Sequence, residues 1–143
     1  MNVLFVCLGN ICRSPMAEGI LKQLYKERAI TGNVESVGLM DWNADKAADY
    51  RAIAVARENG LDITSHRARQ IRKDDFDRFD IILAMDGHNI RLLEKIASPE
   101  HKNKIRLLRG VGDIKDPYQG TEKDFREAFK LIKESIENLV EKY

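Results

Sequence analysis

The sequence predicts one three-layer α/β domain over residues 1–143, built on a four-stranded parallel sheet of order 2-1-3-4 with helices on both faces. Three observations carry this expectation. Four short β-type runs alternate with stretches of helical apolar spacing, as in parallel strands joined by crossover helices. The first run is apolar without a break, which suits a strand covered on both faces. A chain of 143 residues can bury one real core but not two ordinary ones, and no repeat or Pro/Gly/Ser-rich linker divides it.

Val3–Val6 is the first strand. Ser14-Pro15 then reads as an N-cap followed by proline at the first helical position. Ala17, Ile20, Leu21 and Leu24 recur behind it at helical spacing. Val34–Gly38 is the second strand, and a helix follows through Ala48, Ala52, Ile53 and Ala56, with Asn59-Gly60 as its C-cap. Ile81–Met85 is the third strand, and Asp86 is placed to cap a helix carrying Ile90 and Leu93. Ile105–Leu108 is the fourth. After a Gly-containing loop from Arg109 to Gly120, Thr121 and Asp124 start a last helix whose apolar stripe is Phe125, Ala128, Phe129, Ile132, Ile136, Leu139 and Val140. Strand order 2-1-3-4 puts a topological switch point at the C-terminal end of the first strand, where ligands bind in such sheets.

Composition excludes several classes of function. Hydrophobic residues make up 43% and charged residues 33%, as in a folded globular protein. A net charge of +1 points to neither nucleic acid nor an anionic membrane as partner. No apolar run approaches the ~20 residues of a membrane span. Val3–Val6 is too short for a signal peptide, so a cytoplasmic protein is expected. The two cysteines, Cys7 and Cys12, are close together, and in a reducing compartment such a pair is catalytic or redox-active rather than a structural staple.

The segment that carries chemistry is Cys7-Leu8-Gly9-Asn10-Ile11-Cys12-Arg13-Ser14-Pro15, between the first strand and first helix. If its amides turn inward they form an anion-binding nest, continued by the unpaired N–H groups of the helix start. Gly9 lets the backbone turn sharply, and Asn10 tolerates a left-handed conformation. Arg13 adds a planar fork that binds two phosphate oxygens at once. A cysteine thiol in that field ionises readily, which makes Cys7 a nucleophile facing the phosphorus of a bound ester. Ser14 can donate its hydroxyl hydrogen to the sulfur.

This string resembles the signature of the low-molecular-weight protein-tyrosine phosphatases. The resemblance extends over essentially the whole chain, through His66-Arg67-Ala68-Arg69-Gln70, Leu83-Ala84-Met85-Asp86 and Asp116-Pro117-Tyr118. It implies metal-independent hydrolysis of protein phosphotyrosine and small aryl phosphates, with no cofactor and inorganic phosphate as product. Tyrosine-phosphorylated proteins are the implied partners, and a monomer is expected. Cys7, Arg13 and Asp116 match the family's nucleophile, phosphate clamp and general acid. A proton donor is needed because thiolate attack expels a phenolate, and Asp116 lies beyond the same end of the sheet as the Cys7 loop. Leu8 and Ile11 match positions beside the substrate ring, and Trp42 and Tyr118 match aromatic cleft walls. Asn10, Ser36 and His66 match a network that supports the loop, so His66 is not expected to be a general base. His88 and His101 are given no function, and Asp113 is assigned to solvent.

Other readings compete. Protein-arginine phosphatases of the same fold resemble this chain but carry threonine at the position of Ile11, which favours a more polar substrate. An arsenate reductase of the same fold would use the same nucleophile, yet its thioredoxin-coupled members need further cysteines and none follows Cys12. Cys12 instead suits a reversible disulfide with Cys7 that protects it from over-oxidation. A structural zinc site wants four ligands, and beyond the two cysteines only three scattered histidines remain. A silent phosphopeptide-binding module would not need both nucleophile and acid. No Gly-x4-Gly-Lys-Ser/Thr string occurs, which excludes a nucleotide-binding P-loop. Leu39 stands where the family usually has threonine, Ala47 where proline is common, and Gln119 where many eukaryotic members have a second tyrosine.

Overall fold

The computed structural model describes residues 1–142. Its elements run β1 (Val3–Cys7), α1 (Arg13–Glu27), β2 (Val34–Gly38), α2 (Tyr50–Glu58), α3 (Asp75–Arg78), β3 (Ile81–Ala84), α4 (Gly87–Ile96), a 3-10 turn (Pro99–Lys104), β4 (Ile105–Leu107) and α5 (Glu122–Lys142). The four strands are all parallel and ordered β2-β1-β3-β4. Cys7 pairs in register with Gly38, Val6 with Ala84, and Ala84 with Leu107, so the strand C-termini share one edge.

Every residue of β1 is buried, as its unbroken apolar run requires. Successive side chains leave a strand on opposite faces, and the core divides accordingly. Val3, Phe5 and Cys7 join Ile81, Leu83 and Met85 under α1, α2 and α5. Leu4, Val6, Ile82 and Ala84 lie on the other face with Phe76, Phe79 and Leu93 of the α3–α4 region. Phe125, Ala128, Phe129, Ile132 and Ile136 are the buried stripe of α5. At its start Asp124 accepts from the Thr121 amide at 2.7 Å and from the Thr121 hydroxyl at 3.2 Å. Asp86 caps α4 by accepting from the Asn89 amide at 2.8 Å. Among the described residues no helix is long and apolar enough to cross a membrane.

The sequence expectation needs correcting in four places. Ser14 is not the cap of α1: the cap position is Cys12, and Ser14 lies in the first turn with its hydroxyl turned toward Cys7 and Asn10. Pro15 is tolerated one position later still, because first-turn amides have no intrahelical partner. Ala48 precedes α2, whose cap is Asp49, accepting from the Arg51 amide at 2.8 Å. The strand boundaries shift by one residue, since β1 runs on to Cys7 while β3 and β4 stop at Ala84 and Leu107.

Candidate active site

The Cys7–Arg13 loop leaves β1 at the sheet edge and closes on the start of α1. Its backbone is held from outside at every carbonyl from Cys7 to Ile11, and the Cys12 carbonyl enters the first turn of α1. The Cys7 and Leu8 oxygens accept from the amides of Leu39 (3.0 Å) and Met40 (3.1 Å). The Gly9 oxygen accepts from Asn43 Nδ2 at 3.1 Å, and the Asn10 oxygen from His66 Nε2 at 2.7 Å. The Ile11 oxygen takes the Asp49 amide at 2.8 Å and the Cys12 oxygen the Met16 amide at 3.4 Å. There is no cis peptide bond among the described residues, and across a trans peptide C=O and N–H point opposite ways. Outward carbonyls therefore turn the amides inward. Of the amides from Leu8 to Ser14, Asn10's alone has a protein partner among the described residues, donating to Cys7 Sγ at 3.3 Å.

Glycine and asparagine divide the work differently from the sequence expectation. Asn10, not Gly9, takes the left-handed conformation, with φ of 60°. Gly9 is needed for room, because a Cβ there would sit 2.7 Å from Asn43 Nδ2. Gly38 closes the loop from behind in the same way, its Cβ position lying 3.1 Å from Asn10 Cβ.

Cys7 is buried, with Sγ 3.0 Å from Ser14 Oγ. Asn10 Nδ2 donates to that hydroxyl at 2.8 Å, occupying a lone pair and leaving the hydroxyl hydrogen for sulfur. The same nitrogen donates to Ser36 Oγ at 3.0 Å, Ser36 donates to Glu18 at 2.6 Å, and the Arg69 amide donates to Asn10 Oδ1 at 3.1 Å. A carbonyl can only accept, so His66 carries its hydrogen on Nε2. Burial pushes the His66 imidazole below its ordinary range, against the pull of the Asn10 carbonyl and Glu18. Burial, then the charges of Asp49 and Cys7, push the Cys12 thiol up.

Arg13 is 2% exposed. Its Nη1 donates to Asp86 Oδ2 and to the Ile114 oxygen, each at 2.7 Å, while its Nε is buried without a partner. Burial opposes its charge, but Cys7, Asp86 and Asp116 outweigh burial and hold the guanidinium above its ordinary value. Asp116 Oδ2 is 3.7 Å from Arg13 Nη2, and Asp116 Oδ1 accepts from the Tyr118 amide at 3.1 Å across Pro117. Cys7, Arg13 and Asp116 line one cleft of about 330 Å³ with Leu8, Ile11, Trp42 and Tyr118. Trp42 and Tyr118 are exposed at its walls, 63% and 48%.

Sequence reasoning missed several residues that shape the site. Asp86 was read only as a cap, yet its second oxygen orients Arg13. Asn43 and Gln119 line the cleft, and Asn43 also holds the Gly9 carbonyl. Asp113 is not simply solvated, since it accepts from the Gly87 amide at 2.9 Å. Glu18 had a legible signal, lying one helical turn beyond Ser14 on the same face. The others are met only through the fold.

Comparison with known proteins agrees with this geometry. The family model described as low molecular weight phosphotyrosine protein phosphatase matches residues 2–143. A low molecular weight phosphotyrosine protein phosphatase of Sus scrofa is 41% identical, covering 90% of this chain and 87% of that one. A protein tyrosine phosphatase from Entamoeba histolytica, solved with Hepes in its active site, superposes with a TM-score of 0.95 at 32% identity, covering 99% of this chain and 96% of that one. A drosophila arginine phosphatase superposes with a TM-score of 0.93 at 40% identity, covering 100% and 98%.

Proposed function

The chain belongs to the low molecular weight phosphotyrosine protein phosphatase family, and from that membership and the loop geometry we propose that it hydrolyses protein phosphotyrosine through a cysteinyl phosphate on Cys7. One observation carries the reading: the five carbonyls from Cys7 to Ile11 are all bonded to other segments and that of Cys12 to the first turn of α1, leaving a ring of amides and the unpaired Arg13 Nε for an oxyanion.

In the first step Cys7 Sγ attacks phosphorus in line, and the P–O bond to the phenol breaks. Arg13 and the loop amides hold the three equatorial oxygens as charge builds on them. Asp116 gives its proton to the leaving phenolate oxygen. In the second step Asp116, now a carboxylate, takes a proton from water as the water attacks phosphorus. The S–P bond breaks, inorganic phosphate leaves, and the Ser14 hydroxyl stabilises the departing thiolate. Leu8, Ile11, Trp42 and Tyr118 flank the substrate ring. Asn10, Ser36 and His66 keep the loop in shape.

Burial keeps the Cys12 thiol from competing with Cys7 for phosphorus. Both thiols are free and sit in one loop. Peroxide would oxidise Cys7 to a sulfenic acid, and attack by Cys12 would expel water and leave a disulfide that a thiol reductant reverses. Peptide mapping after peroxide tests this; no Cys7–Cys12 bond would overturn it. A nucleophile that must stay reduced also suits work in the cytoplasm on phosphoprotein substrates.

Likeness to an arginine phosphatase supports a second reading, phosphoarginine as substrate. Apolar Ile11 on the cleft favours the phenyl ring. Hydrolysis of para-nitrophenyl phosphate and of phosphotyrosine, phosphoserine and phosphoarginine peptides, with chelator present, decides between them. The proposal expects phosphotyrosine to be preferred, Cys7→Ser to be inactive and Asp116→Ala to be slow. Preference for phosphoarginine would overturn the substrate, and failure on every phosphate would overturn the chemistry.

A further inference from the structure

We infer that Arg51, at the start of α2, is the positioning residue that holds the general-acid loop over the phosphate loop. The inference rests on the reading of Asp116 as proton donor. Asp116 itself is exposed at the cleft mouth, and an acid on an untethered loop would spend little time within reach of the leaving oxygen. The loop has few ties of its own. For residues 115–120, two hydrogen bonds reach another element among the described residues, and both come from Arg51. Arg51 Nη2 donates to the Tyr118 oxygen at 2.9 Å and Nη1 to the Gly120 oxygen at 3.1 Å. The Tyr118 amide in turn donates to Asp116 Oδ1 at 3.1 Å. One residue therefore links the guanidinium to the acid.

The guanidinium is fixed on its other sides. Asp49 accepts from Arg51 Nε and Nη2, each at 3.1 Å, and the side chain is 17% exposed. Its Cζ lies 4.4 Å from the Phe125 ring centroid at the start of α5 and 5.6 Å from that of Tyr118. Planar stacking and a forked donor set suit arginine and not lysine. The Asp49 amide holds the Ile11 oxygen at 2.8 Å, so the same two residues tie both loops to α2. Arg51 does not line the cleft, which makes it a positioning residue and not a catalytic one.

A positioning role for the acid differs from a general structural role in its dependence on the leaving group. Dinitrophenolate departs without a proton, whereas tyrosine phenolate needs one. We expect Arg51→Ala to slow phosphotyrosine hydrolysis by about tenfold, part of the roughly 10²–10⁴-fold that a general acid supplies, while 2,4-dinitrophenyl phosphate loses less than about threefold. In an Asp116→Ala background Arg51→Ala should add nothing on phosphotyrosine. Arg51→Lys keeps the charge and provides a folded comparison, and it should fall between wild type and Arg51→Ala. Equal losses on both esters, or additive losses in the double variant, would overturn the role of Arg51 while leaving the acid intact. If Asp116→Ala itself slows both esters alike, the acid assignment falls and this role with it.

Discussion

Replacing Asn10 separates backbone strain from hydrogen bonding in the phosphate loop. Asn10 is 1% exposed, adopts φ of 60°, and its side chain makes three hydrogen bonds, to Ser14, Ser36 and the Arg69 amide. At about 1 kcal/mol net for each bond, their loss costs Asn10→Ala about 3 kcal/mol. Alanine also pays about 1–2 kcal/mol for the left-handed conformation that asparagine accepts. The expected total, about 4–5 kcal/mol, is a large part of the roughly 5–15 kcal/mol that holds a domain folded. Asn10→Gly loses the same bonds without the strain, but glycine gains about 0.5–1 kcal/mol of unfolded-chain entropy. The glycine variant should therefore be the more stable of the two by up to about 1.5 kcal/mol. Urea unfolding at matched m-values measures both, with para-nitrophenyl phosphate turnover alongside. Variants that both cost less than about 1 kcal/mol would refute the hydrogen-bond argument. An alanine variant more stable than the glycine variant would refute the strain argument.

Other perturbations reach different parts of the site. Asp86→Ala strips the cap of α4 and leaves the buried Arg13 charge without its carboxylate, so it should cost about 3 kcal/mol or more in thermal or urea unfolding and weaken inhibition by phosphate. Asp86→Asn keeps one acceptor oxygen but turns an NH2 donor toward the other partner, so it should recover only part of the stability. His66 is held below its ordinary value of 6.5, so the folded state disfavours its proton. Its contribution is complete above pH 6.5 and falls away as pH drops from there through the depressed folded value; urea midpoints should show wild type losing its lead over His66→Gln as pH falls below 6.5. Cys12→Ser should keep activity within about threefold, and iodoacetate should label Cys7 before Cys12 at neutral pH, read by peptide mapping.

What could be read from the sequence was what lies close together along it. The unbroken run at β1 and the stripe of α5 are local patterns set by burial, and both elements are where their patterns put them. The Cys7–Arg13 loop is one contiguous string, so its inward ring of amides could be expected before its geometry. Ser14 was misread for the same reason: Ser-Pro is a strong local cap signal, but Cys7 and Asn10 compete for the hydroxyl and win. The short helix α3 was missed because Asp75 is held by Arg69, at 3.0 Å from each of two guanidinium nitrogens, and not by any apolar period. The supports of the site are invisible to pattern for a related reason. Arg13 meets Asp86 across 73 positions, Arg51 meets Tyr118 across 67, and Asn43 meets Gly9 across 34. Only the order of the strands brings such residues together.

If the proposed chemistry holds, Cys7 carries the phosphoryl group during turnover. Acid-quenched enzyme reacting with para-nitrophenyl phosphate in the presence of chelator, digested and mapped by mass spectrometry, tests it directly. A phosphoryl group is expected on the peptide containing Cys7, and neither that adduct nor nitrophenol release from Cys7→Ser. Undiminished turnover by Cys7→Ser, or a phosphoryl group on another residue, would contradict it.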